Sequence, residues 1–486
     1  MNYLELARLH EPVLLLLAPL IGAALALMSP GARVAWAAAL VCGLLALGIA
    51  GDLAMRTLVG GDILVATIEG VALRADDLAL YAAPLVALCL AFVLMAIGGA
   101  LGEINGRAAP FALALLLCVA AGWIGALLAA DLIGVLVGAE AAFVASIGLV
   151  ALNGEKSRGA INGALRMFAA GGVGAALTAS GAALVYRGVG SLDLSVIAAA
   201  HIDAPGMAAM GAGLVILGLA LKAGVAPLHM WLGAAFGRAG AFAALGVGVV
   251  GAVGAAAALA RVSAYLIVAA PLGEALSAIV ALLGGASVVI GSMQAVGARN
   301  ILRLSAYAGV AQIGCILLCV ALGSPAGFAA ALVQITAFAA AAMALFGGAA
   351  VAGVQAITEL DGVGRRAPLA GAAMTAGAIS LMGAPLLLGF LGRWRLVEAG
   401  VGADSWWAAG AVIFASLAGV FYGGRIVERL YFRRAAETYT GAPGGAAIAF
   451  APMLVGAIVI IAMGLAPGAL LRAADAAAAL MMGAGA

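Results

Sequence analysis

The stretch VILGLALKAGVAPLHMWL, residues 215–232, places Lys222 in the middle of a hydrophobic segment. The chain has only one other lysine, Lys156, which stands beside Glu155 in a polar connection. An ammonium group in hydrocarbon costs about 2.5–3.5 kcal/mol or more. We therefore predict that Lys222 faces protein or water and has an anionic partner, although a lysine can also pack along a helix and reach the membrane surface.

The whole chain has the composition of a membrane protein. Of its 486 residues, 66% are hydrophobic and only 9% are charged, which lies outside the range of soluble globular domains. The apolar runs are continuous over about 18–25 residues, the length of a helix that crosses a bilayer, and do not alternate as barrel strands do. These features predict an all-α polytopic membrane protein. They exclude a soluble enzyme, and the absence of a basic run argues against a nucleic-acid partner.

About fourteen transmembrane helices are predicted from the apolar runs. Between the second and third, the segment Asp52–Asp77 predicts a short surface hairpin because apolar residues alternate around a Gly-Gly-Asp turn. The segment Ser191–Pro205 predicts an interfacial helix. The predicted spans lie at residues 13–28, 33–51, 77–101, 109–128, 130–153, 163–185, 207–231, 240–262, 273–297, 301–322, 324–349, 367–392, 405–426 and 447–466.

The distribution of positive charge predicts the orientation. Arginine and lysine are roughly twice as frequent in one set of alternate connections as in the other. The positive-inside rule then places both termini on the non-cytoplasmic side. An even number of spans agrees with this orientation.

Two blocks of the sequence contain a similar order of features. The blocks Asp131–Trp231 and Gly291–Arg395 each run through several apolar segments and end in a proline-containing span with a buried cation, Lys222 in the first and Arg393 in the second. Paired, interrupted spans of this kind are typical of inverted repeats with broken helices.

Glu140 is the one carboxylate in the middle of a predicted span, and we pair it with Lys222. A lone buried carboxylate would be protonated, whereas one beside an ammonium would stay ionised, and this coupling is what a proton relay needs. His229 follows Pro227 by two residues. It would either pass protons between the cytoplasmic side and Lys222, or cap the helix break.

Other polar residues lie within apolar segments. Arg393 does not deprotonate in the useful range, so it would gate or set a potential, or else end its span at the headgroups. The amides of Gln312 and Gln334 would support water wires or bond across helices. The five cysteines show no spacing for a disulfide or a metal site, and no metal ligand set or catalytic constellation is present.

Three segments resemble a known family. LKAGVAPLHMW (221–231), GARNILRLSAYAGVAQIGCILL (297–318) and RRAPLAGAAMTAGAISLMGAPLLLGFLGRWRLVEAG (365–400) are similar to the antiporter-like subunits. These are the proton-translocating membrane subunits of NADH-quinone oxidoreductase (complex I, its N, M and L subunits) and of the Mrp cation/proton antiporters (their A-type and D-type proteins). The likeness runs from about Leu80 to Phe432, and the length is most like the N subunit of complex I or the D-type Mrp protein.

The resemblance implies two inverted five-helix repeats, each forming a half-channel, joined by a central row of buried ionisable groups. It predicts four parts of the chain. These are N-terminal helices with an extracytoplasmic hairpin (1–128), the first half-channel (129–262), the second half-channel (263–400) and C-terminal helices (401–486).

The residues of the family's relay are only partly present. Glu140, Lys222 and His229 match it in residue type, whereas the central lysine falls on Ala252 and the twelfth-span lysine or glutamate falls on Arg393. The chain then lacks a proton carrier at Ala252. Either water held by the polar axis bridges the gap, or through-conduction is lost. That polar axis consists of Gln312, Gln334 and Thr336.

The resemblance thus implies a subunit that translocates protons, or sodium ions, within a larger complex of the bacterial inner membrane. The host would be complex I or a related redox-driven pump, with sister antiporter-like subunits as partners and NADH oxidation on other chains. No cofactor is expected on this chain. The alternatives are a D-type Mrp antiporter protein and a structural paralogue with impaired conduction. A stand-alone transporter of an organic solute is disfavoured because the midplane has no richer polar cluster.

Overall fold

A computed structural model of the chain describes residues 10–60, 64–68, 71–100, 108–152, 158–200, 202, 204–237, 240–434 and 450–483. Within these ranges the protein is helical apart from one two-stranded sheet. The elements of the first half are α1 (Glu11–Met28), α2 (Ala32–Gly60), β1 (Leu64–Ile68), β2 (Val71–Ala75), α3 (Asp77–Ala100), α4 (Ala109–Leu128), α5 (Leu132–Ala151), α6 (Arg158–Val189), α7 (Leu194–Ala199), α8 (Pro205–Ala223) and α9 (Leu232–Phe236).

The second half begins with a helix that changes its hydrogen-bonding pattern. The helix Ala241–Leu245 continues through a π-helical turn into the helix Ala252–Val268, and Phe242–Val268 forms one long apolar span. The elements are α10 (Ala241–Leu245), the π turn (Gly246–Gly251), α11 (Ala252–Val268), α12 (Gly273–Gly297), α13 (Ile301–Ala321), α14 (Pro325–Ala352), a 3₁₀ turn (Ile357–Leu360), α15 (Val363–Arg366), α16 (Pro368–Met382), α17 (Leu388–Gly402), α18 (Trp406–Tyr431), α19 (Ala451–Leu465) and α20 (Gly468–Gly483).

The described helices confirm an all-α polytopic membrane fold. Among the residues that the structure describes, 12 helices are long and apolar enough to cross a membrane, or 13 if α19 and α20, which meet at 86°, form one span. The remaining predicted span, 367–392, is divided between α16 and α17, each of 15 residues. It is therefore a broken helix, as the repeat pattern predicts.

A hairpin is present within the segment Asp52–Asp77, but it is shorter than predicted, and its turn lies between Ile68 and Val71 and not at the Gly-Gly-Asp sequence. Strands β1 and β2 pair antiparallel, with Leu64 opposite Ala75. Helix α2 extends to Gly60, and an i,i+4 ion pair between Asp52 and Arg56 stabilises the turn that follows the predicted end. The hairpin thus occupies only the second part of that segment.

The predicted interfacial helix Ser191–Pro205 is only six residues long in the structure. Helix α7 starts after Asp193, whose carboxylate accepts hydrogen bonds from the backbone of Ser195 at 2.8 Å. The carboxylate also pairs with Arg74 of β2 through two hydrogen bonds of 3.0 Å. Burial alone would raise the pKa of Asp193, but the hydrogen bonds from Ser195 and Arg74 outweigh this effect and hold the pKa below its ordinary value.

The two halves of the molecule repeat the same order of elements. Helices α5 and α13 begin after capping residues, Asp131 and Asn300, that each form an isolated antiparallel bridge with a later segment. A long helix (α6 or α14), a short connection and a broken span follow in both halves. Because α5 and α13 are the fifth and tenth spans, the halves run in opposite directions across the membrane. This is the inverted arrangement that the sequence predicts.

The broken spans also begin and end alike. The first helix of each has proline at its first position, Pro205 in α8 and Pro368 in α16, where no N–H is needed. Each ends before a glycine in the left-handed region, Gly224 with φ 73° and Gly383 with φ 78°. These residues explain why both helices stop inside an apolar stretch.

Close contact between α4 and α5 fixes the position of the fifth span. A Cβ on Gly122 would lie 2.5 Å from the backbone nitrogen of Ala142, and a Cβ on Gly138 would lie 2.5 Å from that of Ala126. Only glycine permits this approach of two helix backbones. Helix α5 is thereby held against the core at the level of its middle turns.

A buried ion pair joins the hairpin to the eighth span. Arg261 of α11 is 1% exposed, and its Nε donates to Asp76 Oδ2 at 2.8 Å. Its Nη1 donates to the carbonyl of Ala129 at 3.0 Å, and the Tyr265 hydroxyl donates to Asp76 Oδ2 at the same distance. The pair therefore links three segments that are remote in sequence.

We expect Arg261→Met to lower the free energy of unfolding by about 3–5 kcal/mol, because it leaves the Asp76 carboxylate buried without its cation. Thermal unfolding of the purified protein in detergent measures the effect. The control is Arg433→Met, which removes an exposed partner of Glu428 and should cost about 1 kcal/mol or less. Equal decreases in the free energy of unfolding of the two variants would contradict a stabilising role of the buried pair of Arg261 and Asp76.

Candidate functional site

The candidate site begins where α8 breaks. Gly224 adopts a left-handed conformation, and a Cβ on it would overlap Cδ1 of Leu232. The chain beyond the break is tied to α12, since the Ala226 N–H donates to Ser287 Oγ at 2.9 Å. Lys222 therefore lies in the last turn of a helix that ends inside the protein.

Lys222 is enclosed by three groups. Its residue is 2% exposed, and its Nζ lies 2.5 Å from Oε1 of Glu140 on α5. Nζ also donates to the carbonyl of Gly171 on α6 at 3.3 Å and lies 4.9 Å from the ring centroid of Phe143. The structure thus brings together the two residues that the sequence paired.

The two partners differ in their exposure. The Lys222 side chain is fully buried, whereas the Glu140 side chain is 30% exposed on the outer face of α5. A cation buried in this way depends on its carboxylate and on the electron-rich face of the Phe143 ring. A single proton transfer over the 2.5 Å contact would leave both groups neutral.

His229 lies beyond the break and has other partners. It is 5% exposed, its Nε2 lies 2.7 Å from Oε1 of Gln294, and its ring contacts Tyr307 edge-on. In the described ranges the polar contacts of Lys222 are with Glu140 and Gly171. A proton moving between His229 and Lys222 would therefore need water.

The predicted polar axis is divided into two places. Gln334 Nε2 donates to Gln312 Oε1 at 2.5 Å, so these amides bond across α13 and α14. Thr336 lies two residues further along α14 and faces another direction. Its hydroxyl lies 2.8 Å from that of Tyr81 on α3.

Arg393 is 3% exposed, so its guanidinium is enclosed by protein. Its Nη1 donates to the carbonyl of Met382 at 2.6 Å and to Ser416 Oγ at 2.7 Å, and its Nη2 donates to the carbonyl of Leu381 at 2.5 Å. A cation at the carboxyl end of α16 complements the helix dipole. Arg393 therefore holds the second break together through carbonyl and hydroxyl oxygens.

Three residues of the site were missed by sequence reasoning. Phe143 follows Glu140 by three positions, so helical spacing alone places it on the same face of α5. Gly171 contributes only a carbonyl, for which no sequence signal exists. Gln294 is a polar residue near the end of an apolar run, and nothing in the sequence connects it to His229.

Known proteins are similar to the part of the chain that contains this site. A sequence profile described as NADH:quinone oxidoreductase/Mrp antiporter, TM, matches residues 129–419. NADH-quinone oxidoreductase subunit N of Desulforudis audaxviator is 29% identical over 66% of this chain and 64% of its own length. Subunit N of Geobacter metallireducens is 30% identical over 70% of this chain and 73% of its own length.

Solved structures share the fold. A chain of the archaeal membrane-bound sulfane sulfur reductase has a TM-score of 0.85 and 22% identity, and the match covers 97% of both chains. A chain of respiratory complex I from Thermus thermophilus has a TM-score of 0.78 and 24% identity, over 95% of this chain and 98% of that one. The similarity extends across nearly the whole molecule.

A double-mutant cycle on Lys222→Met and Glu140→Gln tests the pair. We expect Glu140→Gln to lower the free energy of unfolding by about 3–5 kcal/mol, since it leaves a buried ammonium unpaired. The double variant should lose less than the sum of the single variants, and chemical denaturation in detergent measures this. Strict additivity would show that the two groups do not interact.

Proposed function

The chain belongs to the NADH:quinone oxidoreductase/Mrp antiporter transmembrane family, and from this we propose that it is a proton-translocating subunit of a multi-subunit membrane complex. The observation that carries the proposal is the contact of 2.5 Å between Lys222 and Glu140. Both residues can gain and lose a proton, and each alters the charge that the other faces. A pair of this kind converts a change in nearby charge into movement of a proton.

The proton is taken up and passed on in steps that the geometry supports. His229 and Gln294 lie beyond the break of α8, on the arginine-rich side that the sequence assigns to the cytoplasm. Water between His229 and the break would return a proton to Lys222 after Lys222 has transferred its own to Glu140. The exposed fraction of Glu140, 30%, lets its carboxyl exchange with a group on a neighbouring subunit.

The transported ion is the proton. A sodium ion needs several oxygen ligands and no cation beside it, whereas the centre of this site is the ammonium of Lys222. We propose that sodium does not enter at Lys222.

The host that we propose is a complex of the NADH-quinone oxidoreductase type. Support comes from the two subunit N relatives, which align over 66% and 70% of this chain. Redox chemistry would then take place on partner chains, and this chain would carry no cofactor. It would lie in a bacterial inner membrane beside sister antiporter-like subunits, with both termini on the periplasmic side. An Mrp antiporter is the alternative host.

A second candidate function is a structural paralogue that no longer conducts. Two observations favour it. Ala252 has no titratable group, and Arg393 is fixed by the carbonyls of Leu381 and Met382. Such a chain would hold its neighbours together while protons cross elsewhere.

Proton uptake into vesicles that contain the purified complex separates the two functions. We expect Lys222→Met to abolish most of the uptake, because it removes the proton-carrying amine while keeping a side chain of similar length. The matched control is Arg433→Met, which removes a cation that is largely exposed and should leave uptake unchanged. Copurification of the partner subunits verifies assembly. Full uptake by an assembled Lys222→Met complex would favour the structural paralogue.

A further inference from the structure

A cavity of about 400 Å³ opens on the outer surface of the helix bundle, between α1 and α5. Helix α4 packs against both of these helices, and its small residues, among them Gly122 and Gly125, form the floor. Leu20 of α1 and Ile133 and Val137 of α5 line the sides and are 40%, 45% and 62% exposed. The cavity is therefore open toward the membrane.

The cavity extends over the depth of one leaflet of the bilayer. On α5 it runs from Ile133 to Ala141, about 12 Å of helix, and on α4 from Ala129 to Cys118, about 16 Å. The hydrocarbon core of a bilayer is about 30 Å thick, so one leaflet accounts for about 15 Å. Leu73 of β2 lines the end beside the hairpin. The cavity thus runs from the helix ends at the membrane surface to about the middle of the membrane.

The volume of the cavity suits a hydrocarbon chain and not a protein helix. A helix with a diameter of 10–12 Å fills about 1,000–1,400 Å³ over a length of about 12 Å, which is more than twice the 400 Å³ of the cavity. An extended acyl chain is much narrower than a helix. Apolar walls with few polar groups are typical of cavities that bind small ligands. A transmembrane helix of a neighbouring protein would therefore not fit.

One charged side chain, that of Asp131, lines the cavity at the end beside the hairpin. Its Oδ1 caps α5 by accepting a hydrogen bond from the Gly134 N–H at 2.7 Å, and in the described ranges the carboxylate forms no ion pair. The neighbouring Asp193 differs, because its carboxylate pairs with Arg74. Together these three charged groups carry one net negative charge. This end of the cavity attracts an ammonium group and repels a headgroup of net negative charge.

We propose that this cavity binds one phospholipid of the phosphatidylethanolamine type, with an acyl chain lying along α4 and the headgroup ammonium paired with Asp131. Lipid tails are as apolar as the walls of the cavity, so the chain gains no hydrophobic free energy by entering. The chain gains close contacts instead, since the walls of an empty cavity lack partner atoms on one side. The carboxylate then selects among lipids that carry similar chains. This binding does not depend on the proposed proton translocation.

Photo-crosslinking in vesicles tests which lipid is bound. The purified complex is reconstituted into equal parts of phosphatidylethanolamine and phosphatidylglycerol, and one of the two carries a diazirine near the end of an acyl chain. Irradiation should attach the ethanolamine lipid near Cys118 and Ala141, at the inner end of the cavity. The anionic glycerol lipid should label these sites about fivefold less, as expected for the loss of one ion pair. Equal labelling by the two lipids, or no lipid adduct at these sites, would overturn the proposal.

Asp131→Asn tests the pairing with the headgroup. Asparagine caps a helix about as well as aspartate, so α5 should keep its start, whereas the charge that attracts the ammonium is lost. Labelling by the ethanolamine lipid should fall to the level of the glycerol lipid. The matched control is Asp52→Asn, which removes a carboxylate that is 52% exposed at the end of α2 and should leave the labelling unchanged. A preference for the ethanolamine lipid that persists in Asp131→Asn would contradict the pairing.

Gly125→Leu tests the position of the acyl chain. A Cβ on Gly125 would lie 3.3 Å from Cδ1 of Leu16 and otherwise face the cavity, so a leucine side chain would fill part of it. We expect labelling near Cys118 by both lipids to be lost. The control is Gly410→Leu, at an exposed glycine of α18 where a Cβ would meet open space, and it should label as the wild type does. Unchanged labelling in Gly125→Leu would place the lipid elsewhere and overturn the proposal. If Gly125→Leu does not assemble, the comparison of the two lipids and Asp131→Asn still decide.

Discussion

The contact between Lys222 and Glu140 is the interaction on which the arrangement of the first half depends. A fully buried ammonium in a membrane protein needs an anion or carbonyl oxygens as partners, and here Nζ of Lys222 lies 2.5 Å from Oε1 of Glu140. To place them, α8 must stop at the break that begins with Gly224, and α5 must approach α4 through Gly122. The break in α8 and the close packing of α5 against α4 together bring the two charged groups into contact. Without the ion pair, the free-energy cost of each feature would have no compensating gain.

The two inverted halves have different cations at their equivalent broken spans. Both broken spans place a cation near a helix end, Lys222 in the first and Arg393 in the second. Lysine can lose its proton, whereas arginine keeps its charge. Arg393 is also held by two carbonyls and a hydroxyl, so it stabilises the break and does not exchange protons. The halves share a fold, and we assign proton exchange to the first.

Local features of the sequence were enough to predict the spans, the broken helices and the pairing of Glu140 with Lys222. Hydropathy defines a span by itself, and the chain has few mid-span ions that can pair. Contacts between distant segments could not be predicted. Arg261 and Asp76 are 185 residues apart, and nothing in the sequence around one residue indicates the other as its partner. The helix predicted over Ser191–Pro205 is also shorter in the structure, where α7 has six residues, since the burial of its apolar residues depends on neighbouring helices. A cavity has no sequence signal, because it is made by the shapes of several helices.

The central claim is that Lys222 and Glu140 form an ion pair inside the membrane that exchanges a proton. Infrared difference spectroscopy of the purified complex, with Glu140→Gln to assign the band, measures the charge of this carboxyl directly. The account predicts that the Glu140 carboxylate band changes position in the Lys222→Met variant, because its ion-pair partner at 2.5 Å is removed. A carboxylate band unchanged by the loss of the lysine would contradict it.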